Sequence, residues 1–237
     1  MRKKIFLLLL FCSFIIIGAI LNINVTVKQG INYHVYTTRI PLFLKIVDFI
    51  DRHYHYKQLI KSIVYDGNDK QERIMKIFAW THKNIRKQPE ALPVIDDHVW
   101  NIIVRGYGVA DQSSDVFTTL CNYAGAEAFF SFIFNKNKNS MIPLSFVKLN
   151  SRWSIFDPYY GVYFKNNDGI LADTREIKER NYKLRYIEGI KNYTDYEAYF
   201  ENIPDNISVT GLERAQIQSP FRRFIFEVKK WTKIKQK

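Results

Sequence analysis

The sequence predicts an α+β domain, a central helix packed on a small antiparallel sheet, with N-terminal helices before it and a single membrane-spanning helix at the start. Three observations carry this. Residues 5–27 contain no charged side chain and are almost entirely apolar up to residue 21. A glycine-led amphipathic segment, RGYGVADQSSDVFTTLCNYAG, occupies residues 105–125. Beyond it, aromatic and β-branched residues come in short runs separated by turn signals, as in an antiparallel sheet. With 237 residues, 47% of them hydrophobic, the chain can build one good core and has little left for a second.

The first region, residues 1–28, reads as a cytoplasmic stub and an anchor. Residues 5–27 would extend about 34 Å as a helix, enough for a hydrocarbon layer of ~30 Å. A cleaved signal peptide is the rival, but its apolar region is normally ~7–15 residues and ends at an A-x-A-like site. Here Ile17 occupies the first small-residue position before Ala19. Arg2, Lys3 and Lys4 are expected to stay in the cytoplasm. That puts the rest of the chain outside the inner membrane, on its periplasmic side.

Residues 29–69 read as a helical region, with Leu42, Ile46, Phe49 and Ile50 followed by Leu59, Ile60, Ile63 and Val64 at helical spacing. A core region, residues 70–170, opens on a second helix with Ile74, Ile77, Phe78 and Ile85 on one face. His53 and His55 are two apart and point different ways on a helix. No Cys/His/Asp cluster completes a ligand set, so no metal or cofactor is expected. After Pro89 and Pro93, either Asp96 or Asp97 would cap a short helix with His98 in its first turn, or the three would take part in a site. Arg105 is a fixed cation suited to pairing with Asp111, Asp115 or Asp157, or to holding an anionic ligand.

In the organising segment, Val116, Phe117, Leu120, Tyr123 and Ala124 make one buried helix face, and Gly125 ends it. Asp111, Ser113, Ser114 and Asp115 stand at its start, where acceptors and negative charge are favoured. AEAFFSFIF then suits a buried strand. MIPLSFVKL and RWSIFDPYYGVYF read as strands joined at Asn150-Ser151, with a third strand around Tyr163 and a return near Ile170.

This pattern resembles the transglutaminase-like superfamily, whose papain-like core begins its central helix with a glycine, a variable residue and the catalytic cysteine. Gly108 and Val109 match that approach and Gly125 matches the helix-ending glycine, which puts Ala110 at the cysteine position. The family's second block, a His, a small residue and an aromatic followed by a turn, a Trp and an Asp, is matched by SFVKLNSRWSIFDPYYG. Phe146 is then the aromatic, Trp153 the tryptophan and Asp157 the third triad member, and the histidine position falls on Leu144. The resemblance implies a family scaffold lacking two of its three catalytic groups.

The residues alone agree. The two cysteines are Cys12, inside the apolar run, and Cys121, in mid-helix. All five histidines, His34, His53, His55, His82 and His98, precede Ala110, whereas the family's histidine follows its cysteine. Thiol acyl transfer then has neither nucleophile nor base.

The remaining region, residues 171–237, ends in SPFRRFIFEVKKWTKIKQK, with seven Lys or Arg against one Glu. It reads as a basic amphipathic helix, with Arg222, Arg223, Lys229 and Lys230 placed to meet anionic lipid or an acidic polysaccharide, or else as a helix packed on the domain. Nucleic acid is not an expected partner outside the cytoplasm despite the net charge of +12.

Two function classes follow. The first is a non-catalytic, membrane-anchored binding or accessory factor in cell-envelope or surface-polysaccharide assembly. The second is a hydrolase or transferase on glycan or peptide with a rebuilt acidic site drawn from Asp96, Asp97, His98, Asp111, Asp115 and Asp157. In either class the ligand-binding candidates are Asp97, His98, Arg105, Asp111, Gln112, Asp115 and Asp157.

Overall fold

The computed structural model describes residues 2–64, 69–135, 139–187, 194–204, 207, 218–220, 222–226 and 228. Helix α1 (Arg2–Leu21) is apolar on every side beyond Lys4, and none of Lys3–Leu21 is buried against the rest of the chain. It is the one helix among the described residues that is long and apolar enough to cross a membrane.

Helix does not follow at once. Residues 24–41 form a β-hairpin, β1 (Asn24–Ile31) with β2 (His34–Pro41), in register from Asn24↔Pro41 to Ile31↔His34. This corrects the all-helical reading of the region from residue 29. Val25, Thr26, Val27, Thr37 and Thr38 are stiff at χ1 and favour a pleated chain. Asn32 and Tyr33 turn it with φ of 46° and 67°, the left-handed pair a two-residue hairpin needs. The hairpin returns beside the end of α1, where the Leu42 N–H donates to the Ile23 carbonyl at 2.9 Å.

Helix α2 (Leu42–Ile63) starts there and buries Tyr56 and Ile60. Asp66 and Gly67, residue types that commonly end a helix, lie outside the described residues. Asp69 caps α3 (Lys70–Asn84) by accepting from the Gln71 N–H, and Ile74, Ile77 and Phe78 are buried as the spacing requires. Strands β3 (Arg86–Lys87) and β5 (Tyr107–Gly108) pair in parallel. Between them, β4 (Ile95–Asp96) adds to β1 through Gly30↔Asp96 and Ile31↔Ile95. The approach at Gly30 is close, since a Cβ there would stand 3.0 Å from the Asp96 Cβ. His98, not an aspartate, is the N-cap residue of α4 (Val99–Arg105), which ends at Gly106 with φ 71°.

The central helix α5 (Ala110–Tyr123) follows, closed by Gly125 at φ 83°. It packs on a five-stranded antiparallel sheet in the order β10-β9-β8-β7-β6. The strands are β6 (Ala128–Asn135), β7 (Ser140–Leu149), β8 (Arg152–Asp157), β9 (Val162–Lys165) and β10 (Lys183–Tyr186). Asn150 and Ser151, at φ 46° and 68°, make the tight turn between β7 and β8. Near Ile170 there is no returning strand, only two isolated bridges, Lys165 to Leu171 and Ser154 to Asp173. The fifth strand comes after the short helix α6 (Thr174–Lys178), so the sheet runs past residue 170. Helix α7 (Glu197–Phe200) is a single turn that buries Tyr199 and Phe200.

Both faces of the sheet are covered. On one, α3 and α5 meet it through Phe78, Phe117, Leu120, Val147, Leu149 and Phe156. On the other, Leu144, Phe146, Trp153 and Ile155 pack against Ile177, Tyr199 and Phe200 of α6 and α7. The C-terminal residues 222–226 are helical. Lys229 and Lys230 lie outside the described residues.

Candidate functional site

The site is set by the N-terminus of α5. Gly108 lets the chain pass close under the helix, because a Cβ there would lie 2.7 Å from the Gln112 Oε1. Gln112 in turn holds the entry: its Oε1 accepts from the Val109 N–H at 3.3 Å, and its Nε2 donates to the Ile95 carbonyl at 2.6 Å. Arg105 completes the brace, donating to the same carbonyl at 2.7 Å and to Asp97 Oδ1 at 3.3 Å. Asp97 also accepts from the Asn101 amide at 2.9 Å. Arg105 thus pairs with Asp97, not with Asp111, Asp115 or Asp157. Together Arg105 and Gln112 tie β4, and through it the hairpin, to the start of the central helix.

An open cleft of about 480 Å³ lies beside this brace. Ala110, Asp111 and Gln112 form its floor. Tyr33 and Val35 from the hairpin tip, Phe132 and Pro143 from β6 and β7, and Asp96 from β4 also line it. No thiol or imidazole lines it.

The other two positions matched to the triad face elsewhere. Side chains alternate across a strand, and Val147 and Leu149 meet α5 while Leu144 and Phe146 meet the far layer. Leu144 is fully buried there, among Phe146, Trp153 and Ile155. Pro143 is therefore the β7 residue that looks into the Ala110 cleft, one step from the position the sequence comparison indicated. Asp157 also turns to the far layer. It is 4% exposed, its Oδ2 accepts from the Tyr196 hydroxyl at 2.8 Å, and its Oδ1 accepts from the Tyr160 N–H at 3.1 Å.

The proposed acidic constellation is likewise dispersed. Asp96 and Asp111 share the cleft. Asp97 belongs to the Arg105 brace, and His98 lines a different cavity, against α2 and the hairpin base. Asp115 is 1% exposed in the core near Tyr56, whose hydroxyl is pushed well up by burial first, then by Tyr123 and Asp115. The six do not converge in one cavity, and of them Asp96 and Asp111 are the two that line the cleft. His53 and His55 are packing groups: His53 hydrogen-bonds the Tyr123 hydroxyl at 2.7 Å, and His55 stacks on Trp100 at 4.9 Å.

Burial raises the Asp157 carboxyl to about 6 from its usual 3.8, against the lowering effect of the Tyr196 and Tyr160 hydrogen bonds. The native state then holds this proton more tightly than the unfolded chain does. Its contribution favours folding at low pH and is lost as pH rises from about 4 to about 6. Asp157→Asn cannot ionise; its Oδ1 can still accept from the Tyr160 N–H, and its Nδ2 can donate to the Tyr196 hydroxyl oxygen. It should stabilise the protein at pH 8 by up to about 3 kcal/mol and flatten the pH dependence of the denaturation midpoint between pH 4 and pH 6, which chemical unfolding measures.

Sequence reasoning missed the hairpin-tip residues Tyr33 and Val35, and it missed Phe132 and Pro143. Alternation along residues 24–41 was the available signal for the hairpin. For β7 none existed, because Leu144, Ser145, Phe146 and Val147 are all buried and the hydrophobic pattern cannot tell one face from the other.

Fold and site together define a helix-on-sheet α+β domain with an open cleft at the start of its central helix. No family model and no curated protein matches the chain. Two solved structures are similar in part. One, from Cytophaga hutchinsonii and described as a candidate cysteine protease, shares 13% identity over 60% of this chain and 51% of its own, with a TM-score of 0.39. The other, from Parabacteroides distasonis and described as a candidate protease, shares 11% identity over 56% of this chain and 35% of its own, with a TM-score of 0.36. The chain thus spans about half the length of the first and about a third of the second.

Proposed function

We propose that this chain is a membrane-anchored, extracytoplasmic protein whose transglutaminase-like domain binds rather than turns over its ligand, as an accessory factor in cell-envelope or surface-polysaccharide assembly. One observation carries the reading. At the helix start where thiol chemistry needs a nucleophile, Ala110 presents a methyl group to an open cleft, and the facing strand offers Pro143 instead of an imidazole. What the cleft does offer is the aromatic rings of Tyr33 and Phe132 beside the carboxylates of Asp96 and Asp111. Rings that stack on apolar sugar faces next to acceptors for hydroxyl groups are the chemistry of glycan binding.

The test is binding and turnover with cell-envelope glycan fragments, using the full chain in uncharged detergent. Saturable binding that Phe132→Ala and Asp111→Asn each weaken about tenfold, with no product formed, is the expected result. Product formation by the unaltered chain would end the non-catalytic reading. Binding indifferent to both substitutions would remove the cleft as its site.

A further inference from the structure

A second cavity, of about 570 Å³, lies between the hairpin base, α2, α4 and the C-terminal helical residues. Four cationic side chains line it, Lys28, Lys45, Arg52 and Arg223, against two carboxylates, Asp48 and Asp51. Both carboxylates are engaged by neighbours on their own helix, Asp48 with Arg52 at 3.9 Å and Asp51 with His55 at 3.4 Å. Lys28, Lys45 and Arg223 have no carboxylate partner among the described residues. Lys45 donates to the Thr26 carbonyl at 3.0 Å and keeps two further N–H donors, while Arg223 rests over the Phe49 ring. Arg222 is turned away, donating to Asn122 at 3.1 Å, so of the two described arginines in the basic tail only Arg223 faces the cavity.

Its height above α1 is set by the chain. Thr26, Val27 and Lys28 stand two to four residues along β1 from Asn24, which is roughly 7–14 Å at ~3.4 Å per residue. Lys45 is three residues into α2 from Leu42, about 5 Å along the axis. Both strand and helix start beside the end of α1. If α1 spans the hydrocarbon layer, these distances put Lys45 within the headgroup zone, which adds about 5–7 Å per leaflet, and Thr26 to Lys28 at or just above its outer edge. Between α1 and the cavity the surface carries the exposed apolar side chains of Ile20, Ile23, Phe43 and Leu44, interrupted by the exposed Asn22 and Asn24. Trp100 in the cavity wall is a side chain favoured at that depth.

We propose that this cavity holds the phosphate of an anionic phospholipid, clamped by Lys28, Lys45 and Arg223, with its acyl chains against the apolar surface below. The inference rests on the anchored reading of the chain. It fixes how the domain stands on the membrane, with the Ala110 cleft at the far end of the hairpin.

The full chain in uncharged detergent is titrated by calorimetry with short-chain phosphatidylglycerol, short-chain phosphatidylcholine and inorganic phosphate. Phosphatidylglycerol should bind saturably and more weakly as salt rises. Phosphatidylcholine should show no saturable binding, and inorganic phosphate should bind at least about tenfold more weakly for want of acyl contacts. Lys28→Gln with Arg223→Gln should cost about tenfold or more in affinity for phosphatidylglycerol, and Arg223→Lys should retain most of it. Lys28 is exposed, so Lys28→Gln alone tests the site without risk to the fold, and a severalfold loss is expected from it. Unchanged affinity in Lys28→Gln and in the double variant would overturn the proposal, as would equal binding of phosphatidylcholine. Inorganic phosphate binding as tightly as the lipid would leave a phosphate site and overturn the lipid assignment. The anchor is tested separately, by alkaline carbonate washing of native membranes. Release of the chain there would sink the anchored reading, whatever the detergent titration gives.

Discussion

Ala110→Cys is expected to create a fast-reacting thiol and no catalyst. The residue is the first of α5, in an open cleft, where the helix N-terminal amides stabilise a thiolate. Cys121 is the contrast within the same helix. It is fully buried, and burial pushes its thiol well above the usual range, so it reacts only when the domain opens. In a Cys12→Ser background, iodoacetamide at neutral pH should label residue 110 at least about a thousandfold faster than Cys121, the ratio an opening free energy of ~4 kcal/mol or more imposes. Labelling as slow as at Cys121 would mean that the cleft is closed in solution. Adding an imidazole separates the two strand positions. Pro143→His alongside Ala110→Cys should lower the thiol pKa further, because residue 143 faces the cleft. Leu144→His should leave the thiol unchanged and destabilise the domain by about 3 kcal/mol, by burying a polar ring among Phe146, Trp153 and Ile155. The reverse outcome would show that the strand faces are assigned the wrong way round.

Arg105→Ala should cost about 3 kcal/mol, because it strands a carboxylate. The Asp97 side chain is only 11% exposed and Arg105 only 14%, so the pair is largely out of water. Removing one member of such a pair leaves an uncompensated charge. The same change frees the Ile95 carbonyl from its 2.7 Å bond and loosens β4 from the central helix. Hydrogen exchange should accelerate at residues 30–32 and 94–96 well before the sheet amides respond. Uniform acceleration across β6–β9 instead would mean that Arg105 supports the whole core rather than the wall of the cleft.

The elements that local chemistry dictates could be read directly. The apolar helix α1 follows from a run without charge, α3 from Asp69 and the spacing of Ile74, Ile77 and Phe78, and α5 from its two glycines. The β7–β8 turn follows from Asn150-Ser151. The hairpin at residues 24–41 escaped because its side chains are largely exposed, which left only a weak alternation in β1 to announce it. The acidic residues could be found but not placed. Asp96, Asp97 and Asp111 lie within sixteen positions of one another, yet one is on a strand edge, one is in an ion pair and one is at a helix start.

By itself the sequence determined that a helix begins at Ala110 without a thiol, that no histidine comes after it, and that an apolar helix precedes the domain. Those are properties of single residues and of short-range periodicity. The tertiary structure alone decided that Pro143 and not Leu144 faces that helix, that Asp157 belongs to the far layer, and that the hairpin tip walls the cleft. The reason is that layers of helix cover both faces of the sheet. Every side chain along the middle of β7 is then buried, and only packing partners distant in sequence fix which way each one points.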